Sequence, residues 1–186
     1  SGKLLIWEWP VIYMDYAIGV DVSEGVGSDK KYKSDSSAIS IIRQDNCEVV
    51  ATWKGKIDPD IVGDITARIG WFYNEAFCCV EANNHGVSTN KSLSNQYSHG
   101  RIYQAKTLDK IEERAVDRFG FYTSSKSKKV LIDDGKKIIR EGTVTIHDRD
   151  MISEMLSLKA DFRGNVLTTG ADKTMSFLMG IQARKC

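Results

Sequence analysis

No stretch of the sequence approaches the ~18 consecutive apolar residues that a membrane-spanning helix needs. No secretory signal pattern is present at its start. Cysteine is also scarce: the four cysteines show no CxxC spacing, and Cys78 and Cys79 are adjacent within an apolar run. This argues against a zinc site or a disulfide framework and predicts reduced thiols. We therefore expect an intracellular protein with no membrane partner.

An excess of charge of one sign is lacking as well, since the formal net charge is +1. Any contact with nucleic acid must therefore use a local basic patch. The 186 residues are 41% hydrophobic, which suits one compact domain. Residues 3–15 are Trp-rich and contain Pro10, which predicts an extended lead-in on the domain edge or a linker remnant. The predicted division is 1–15 as lead-in and 16–186 as the domain, and Ser1-Gly2 is typical of a scar left on a domain cut from a longer protein.

The hydrophobic periodicity predicts a mixed α/β domain. Three consecutive strands with short turns favour an antiparallel meander, and later strands alternate with helices, which favours additional parallel strands. A mixed central sheet flanked by helices is therefore the expected fold class. Strands are expected at 16–22, 37–43, 47–56, 76–80, 102–105, 144–146 and 162–167, and helices at 58–74, 87–97, 124–142, 148–159 and 171–183, with 107–119 unplaced.

Two predicted strands end in acids, Asp21 in the first strand and Glu81 after the buried run 76–80. If these strands pair in parallel, both carboxylates lie at one sheet edge, and Asp172 at the start of the last helix can face the same edge. Carboxylates at such close range repel unless a cation lies between them. Oxygen ligands favour Mg²⁺ or Mn²⁺, and two such ions can hydrolyse a phosphodiester. The alternative is that these are ordinary surface acids, with Asp172 a first-turn or capping acid.

Four separated blocks resemble the nuclease domain of the large terminase subunits of tailed double-stranded DNA phages. They are Ile18-Gly-Val-Asp-Val-Ser-Glu-Gly-Val-Gly with Asp35-Ser-Ser-Ala-Ile-Ser-Ile-Ile; Val80-Glu-Ala-Asn-Asn-His-Gly-Val-Ser; Gly120-Phe-Tyr-Thr-Ser-Ser with Leu131-Ile-Asp-Asp and Ile139-Arg-Glu-Gly; and Gly170-Ala-Asp-Lys-Thr-Met. They occur in the expected order and cover nearly the whole chain after Tyr16. By motif position, the family's metal-binding acids correspond to Asp21, Glu81 and Asp172. Asp35 matches a further acid, with a structural or outer role.

The resemblance implies an RNase H-like fold and an endonuclease that uses two Mg²⁺ or Mn²⁺ ions to cut concatemeric double-stranded DNA during genome packaging. It also implies a phage protein acting in the host cytoplasm, with the portal and the small terminase subunit as partners of the full-length protein. An N-terminal packaging ATPase is implied too, although no GxxxxGK[ST] loop occurs in these residues. Two other functions stay open: an RNase H-like junction resolvase or RNase H-type nuclease, and an inactivated DNA-binding or docking domain.

One departure from the family pattern is Lys173, which stands where the family usually has the second of two adjacent acids. A lysine beside a divalent ion would repel that ion and could weaken one metal position. The helix predicted at 124–142 also carries a run of basic residues that could contact phosphates: Lys128, Lys129, Lys136, Lys137 and Arg140. A solvated helix face is the alternative for this run. His85 is interpreted as a turn residue, and Trp53, Trp71, Phe72 and Tyr73 as packing residues.

Overall fold

A computed structural model describes residues 2–23, 36–109, 114–162 and 164–185. The strands are β1 (Gly2–Ile6), β2 (Tyr16–Asp21), β3 (Ser37–Arg43), β4 (Glu48–Gly55), β5 (Phe77–Val80), β6 (Gln104–Asp109), β7 (Arg114–Phe119), β8 (Thr145–Ile146), β9 (Lys159–Ala160) and β10 (Val166–Leu167). The helices are α1 (Pro59–Phe72), α2 (Gly86–Gln96), α3 (Ser125–Arg140), α4 (Arg149–Ser157) and α5 (Asp172–Ala183), with a 3₁₀ turn at His99–Arg101. None of the described helices is both long and apolar enough to cross a membrane.

The central sheet has the strand order β1-β4-β3-β2-β5, and β8 pairs with the start of β4. The pairs β2–β3, β3–β4 and β1–β4 are antiparallel, whereas β2–β5 and β4–β8 are parallel. The expected fold class, a meander extended by parallel strands and flanked by helices, is confirmed. The segment expected as an extended lead-in begins with an edge strand, β1, which pairs with β4 along its length.

The two faces of the sheet pack against different helices because side chains alternate along β2. Ile18 and Val20 belong to a core that also contains Val62 of α1 and Leu93 of α2. Ala17 belongs to the opposite core, which is built by α3, α4 and α5. Asp21 has the parity of Ala17, so the alternation places it on the α5 side. The three described cysteines, at 47, 78 and 79, are buried and form no disulfide.

Three local predictions are wrong. The strand predicted at 102–105 is displaced, because Ile102 forms only a single bridge to Cys78 and β6 begins at Gln104. The described part of 107–119, for which no element was predicted, belongs to the antiparallel pair β6–β7. The strand predicted at 162–167 is instead the second half of a small hairpin, β9–β10. The spacing of Leu131, Ile138 and Ile139 predicts that all three lie on the buried side of α3, but Ile139 is 47% exposed and Ile132 is buried instead. The Gly-, Ser- and Lys-rich stretch 23–34 predicts an exposed loop with Lys30, Lys31 and Lys33, and it lies almost entirely outside the described residues. Asp35 also lies outside them.

Candidate active site

Asp21 is the last residue of β2, and its position depends on a close approach between β2 and α5. A Cβ atom added to Gly19 would lie 2.0 Å from both the Ser176 carbonyl oxygen and the Gly180 nitrogen. Only glycine therefore allows α5 to rest directly on this strand. Since residues 19 and 21 share a face, Asp21 lies beside the N-terminal end of α5, just beyond the point of closest contact.

Glu81 follows β5 at the level of Asp21. The parallel register pairs Val20 with Val80, and the Glu81 N–H donates to the Val20 carbonyl oxygen at 3.0 Å. Residues 21 and 81 are thus adjacent across the two strands and on the same face, as expected from the sequence. The turn into α2 also holds Glu81, because a Cβ atom on Gly86 would lie 1.7 Å from the Glu81 carbonyl oxygen. The carboxyl ends of two neighbouring parallel strands therefore present two acids together.

Asp172 is the first residue of α5 and is 6% exposed. Its Oδ2 accepts hydrogen bonds from the Ser36 N–H at 3.2 Å and from the Lys54 ammonium at 3.0 Å. The residue at the helix N-cap is Ala171, so Asp172 is a first-turn acid but not the cap itself. Its place in the first turn does not explain the hydrogen bond from Ser36, which lies 136 positions earlier in the sequence. This bond connects α5 to the start of β3.

The three acids interact electrostatically. The pKa of Asp21 is raised well above its usual range, first because burial removes its carboxyl group from water. The charge of Glu81 and a hydrogen bond with it raise this pKa further, and the charge of Asp172 adds to the effect, whereas Lys128 opposes it. Ionised Asp21 is therefore costly in the metal-free protein. A cation beside Asp21 and Glu81 would remove that cost.

Lys54 and Glu154 are two further charged residues at the site, and no sequence motif singles them out. Lys54, near the end of β4, lies 2.9 Å from Glu154 Oε1 on α4 and 3.0 Å from Asp172. Burial alone would lower the pKa of Lys54, but the hydrogen bonds and charges of Glu154 and Asp172 outweigh it and raise that pKa. A lysine near the end of an otherwise largely apolar strand was the available signal, but no sequence pattern pairs it with residues 100 or more positions away.

Lys173, the departure from the family pattern, is paired with two acids at the start of α4. Its ammonium donates to Asp148 Oδ2 at 2.7 Å and to Asp150 Oδ2 at 3.2 Å, and its side chain is 5% exposed. Thr52 also donates to Asp148 Oδ2, at 2.6 Å. Although burial opposes it, these hydrogen bonds hold the pKa of Asp148 below its usual range. Consecutive helical side chains point about 100° apart, which is why residues 172 and 173 find separate partners.

The donor chemistry of the three acids suits a hard divalent cation, since all the ligating atoms would be carboxylate oxygens. The repulsion between Asp21 and Glu81 also fits such an ion. In the conformation described, however, no group of three or more His, Cys, Asp or Glu side chains among residues 2–23, 36–109, 114–162 and 164–185 is arranged to hold a metal. Asp172 is held by Lys54 and Ser36 instead.

The basic residues of α3 are split between two positions. Lys128, Lys129 and Lys136 line a cleft of about 260 Å³ together with Asp133 and with Gly164–Val166 of the β9–β10 hairpin. Lys128 is close enough to Asp21 to oppose the rise in its pKa. Lys137 and Arg140 are exposed further along the helix. The cleft therefore places three lysines and the Asp133 carboxylate on the face of the sheet that carries Asp21, which we call the acidic side.

The remaining residues of interest have more ordinary positions. His85 directly precedes α2 and is partly buried. Trp53 and Tyr73 are buried in the core, whereas Trp71 and Phe72 are each nearly half exposed. Trp71 makes an edge contact with Tyr97, and Phe72 makes one with Trp9. These aromatic residues therefore pack in the core and along the α1 side of the molecule, as expected from the sequence.

Comparison with known proteins gives matches in structure only. No protein-family model matches the chain, and no curated protein matches its sequence significantly. Among solved structures, the large terminase nuclease of thermophilic phage G20c with bound magnesium has a TM-score of 0.69 at 17% identity, with 98% of this chain and 88% of that chain covered. The Thermus phage P74-26 large terminase nuclease domain has a TM-score of 0.67 at 17% identity, with 97% and 85% covered.

A more distant match is the terminase nuclease domain of human cytomegalovirus, soaked with Mn and bound to an inhibitor. Its TM-score is 0.57 at 10% identity, with 92% of this chain and 84% of that chain covered. These are nuclease domains of the kind that the sequence blocks resemble, so the resemblance is confirmed at the level of the fold. The chain has the RNase H-like fold of large terminase nucleases.

Proposed function

We propose that the chain is a metal-dependent endonuclease that cuts concatemeric double-stranded DNA during phage genome packaging. The observation that carries this proposal is the arrangement of Asp21, Glu81 and Asp172, which come from β2, β5 and α5 to one side of a terminase-like sheet. A fold alone does not establish an activity. The acids supply the chemical part of the argument, and the similarity to nucleases solved with magnesium or manganese supports the choice of reaction.

Asp21, Glu81 and Asp172 are the residues that would hold the metal, and two Mg²⁺ or Mn²⁺ ions are expected. Such ions supply the acidity that activates a water molecule and the charge that stabilises the leaving oxygen of a phosphodiester. Asp21 would be the central ligand, since the charges of both Glu81 and Asp172 raise the pKa of its carboxyl group. The close packing of α5 on Gly19 and the parallel register of β2 with β5 fix the position of Asp21. The neighbours solved with cobalt and zinc indicate that other divalent ions can enter sites of this fold.

Double-stranded DNA is the proposed substrate, and α3 is the proposed contact with its backbone. Lys128, Lys129 and Lys136 line the cleft on the acidic side, and Lys137 and Arg140 extend the positive surface. Lysines placed along a helix can neutralise phosphates and so hold the duplex across the three acids. In the full-length protein we expect the portal and the small terminase subunit as further partners, and the host cytoplasm as the place of action.

An inactivated DNA-binding or docking domain is the second candidate. Two observations favour it. No group of three or more His, Cys, Asp or Glu side chains among the described residues is arranged to hold a metal, and the Asp172 carboxylate is paired with the Lys54 ammonium. In that case the lysines of α3 would still bind DNA, but no saturable site for Mn²⁺ would exist.

Cleavage of supercoiled plasmid with Mn²⁺ or Mg²⁺ tests the proposal. The wild-type protein should nick and linearise the plasmid, and Asp21→Asn should remove this activity because a neutral amide cannot hold the cation. Asp60→Asn, the same change at an exposed position of α1, is the matched control and should cut normally. Undiminished cleavage by Asp21→Asn would show that the site is wrongly placed. Preferential cutting of branched DNA or of an RNA–DNA hybrid would favour a resolvase or an RNase H-type enzyme.

A further inference from the structure

Lys54 stands out among the charged residues near the three acids because it is a partly buried cation paired with two carboxylates. Its ammonium lies between Asp172 Oδ2 at 3.0 Å and Glu154 Oε1 at 2.9 Å. The side chains of these acids are only 9% and 12% exposed, and that of Lys54 is 31% exposed. The contact is therefore largely shielded from water, where ion pairs are stronger than at an open surface.

Glu154 is anchored independently of Lys54. Its Oε2 accepts a hydrogen bond from the Thr174 N–H at 3.0 Å, one of the N–H groups in the first turn of α5 that have no partner within the helix. Glu154 therefore has a contact with the start of α5 that does not depend on Asp172. It offers Lys54 a partner that needs no movement of the backbone.

We infer that Lys54 is a built-in competitor of the divalent cation: it neutralises Asp172 in the metal-free protein and withdraws to Glu154 when an ion binds. This inference rests on the proposed function, because it assumes that Asp172 is a metal ligand. Lys54 is accordingly a positioning residue that acts through Asp172. It would set the affinity of the site for metal. In the metal-free protein it would also neutralise the charge of Asp172, which otherwise adds to the repulsion with Asp21 and Glu81.

The size of the competition follows from distance. Mg–O bonds are about 2.0–2.1 Å long, so an ion on either oxygen of Asp172 would lie within about 7 Å of the present Lys54 nitrogen. At that separation the repulsion between a single and a double positive charge lowers the affinity about tenfold even with screening close to that of water. Removing the lysine charge should tighten metal binding by at least this factor.

Calorimetric titration of the intact chain with Mn²⁺ alone tests the inference. Lys54→Met should bind Mn²⁺ about tenfold or more tightly than wild type, and Lys54→Arg, which keeps the charge, should bind like wild type. Lys56→Met is the matched control because it removes an exposed lysine two positions further along, and its affinity should stay within about twofold of wild type. Thermal unfolding in EDTA should show a lower Tm for Lys54→Met, since two carboxylates lose their shared cation.

A double-mutant cycle separates this competition from a general effect of charge. Glu154→Gln should weaken Mn²⁺ binding, because Lys54 then has only Asp172 as a charged partner. In the Lys54→Met background the same substitution should have a smaller effect, whereas a general field effect would be equal in both backgrounds. Lys54→Gln removes the same charge and replaces Lys54→Met if the latter fails to fold.

The outcomes distinguish the inference from the proposed function. If wild type binds Mn²⁺ and Asp21→Asn does not, the metal site stands; unchanged or weaker binding by Lys54→Met would then overturn the competition alone. If neither wild type nor Lys54→Met binds Mn²⁺, both the metal site and the competition are refuted. Tighter binding by Lys54→Met, together with a normal Lys56→Met, supports both.

Discussion

The contact between Gly19 and α5 yields the sharpest structural prediction. In Gly19→Ala the new methyl group would lie 2.0 Å from two backbone atoms of α5, the Ser176 oxygen and the Gly180 nitrogen. Backbone atoms cannot rotate away, so β2 and α5 must separate. Adding a methyl group to a well-packed interior costs about 1–3 kcal/mol, and occasionally more. We expect at least about 3 kcal/mol here, at the upper end of that range, because the obstacle is backbone on both sides.

Gly180→Ala is the matched comparison, since it adds the same methyl group to the other side of the same contact. Its Cβ atom would meet the Ile42 Cδ1 at 2.7 Å, which is the flexible end of a side chain. Replacing a mid-helix glycine by alanine also favours the helix by about 1 kcal/mol. These effects oppose each other, so Gly180→Ala should change the free energy of unfolding by less than about 1 kcal/mol.

Urea unfolding followed by circular dichroism measures both variants. We predict that Gly19→Ala lowers the midpoint far more than Gly180→Ala, with similar m-values. We also predict that any folded Gly19→Ala protein binds Mn²⁺ more weakly than wild type, because Asp172 moves with α5. Equal stability of the two variants would refute the idea that the β2–α5 approach places the acids.

Three further predictions concern charge. Because the pKa of Asp21 is raised in the folded protein, the stability it contributes is largest below about pH 4 and is lost as the pH rises through its folded pKa; Asp21→Asn should therefore unfold at a higher temperature than wild type in EDTA at pH 7, and a lower melting temperature would contradict this. Lys173→Met leaves Asp148 buried without its cation and should cost about 3–5 kcal/mol in urea unfolding, and together with Asp148→Asn the destabilisation should be less than the sum of the two single effects. Lys129→Gln combined with Lys136→Gln should reduce the slope of log affinity for duplex DNA against log salt by about 0.9 for each phosphate that is no longer neutralised, whereas Lys91→Gln on α2 should not change it.

The parts of the fold that could be predicted are those whose sequence carries a burial pattern. Sequence periodicity predicted β2, β3, α1 and β5 within about two residues of their observed bounds, from the patterns at 16–22, 37–43, 58–74 and 76–80. The same patterns placed Asp21 and Glu81 at strand ends, and the parallel pairing of β2 and β5 brings them side by side.

The parts that could not be predicted depend on contacts between distant residues or lie in strands whose sequence shows no clear periodicity. β6 and β7 pair through their backbones, and the two-residue strands β9 and β10 are too short for periodicity to reveal them. The approach of Lys54 to Asp172 and Glu154 spans 100 or more positions. The pairing of Lys173 with Asp148 and Asp150 could not be predicted either, because neighbouring helical side chains diverge and the partners lie more than 20 positions away.

Anomalous diffraction from a crystal of this protein soaked in Mn²⁺ would show directly whether the three acids form a metal site. We predict peaks between the carboxylates of Asp21, Glu81 and Asp172, with two ions sharing Asp21 and with the Lys54 ammonium moved from Asp172 to Glu154 alone. Absence of any peak within bonding distance of Asp21 in a soaked crystal would contradict the proposed metal site.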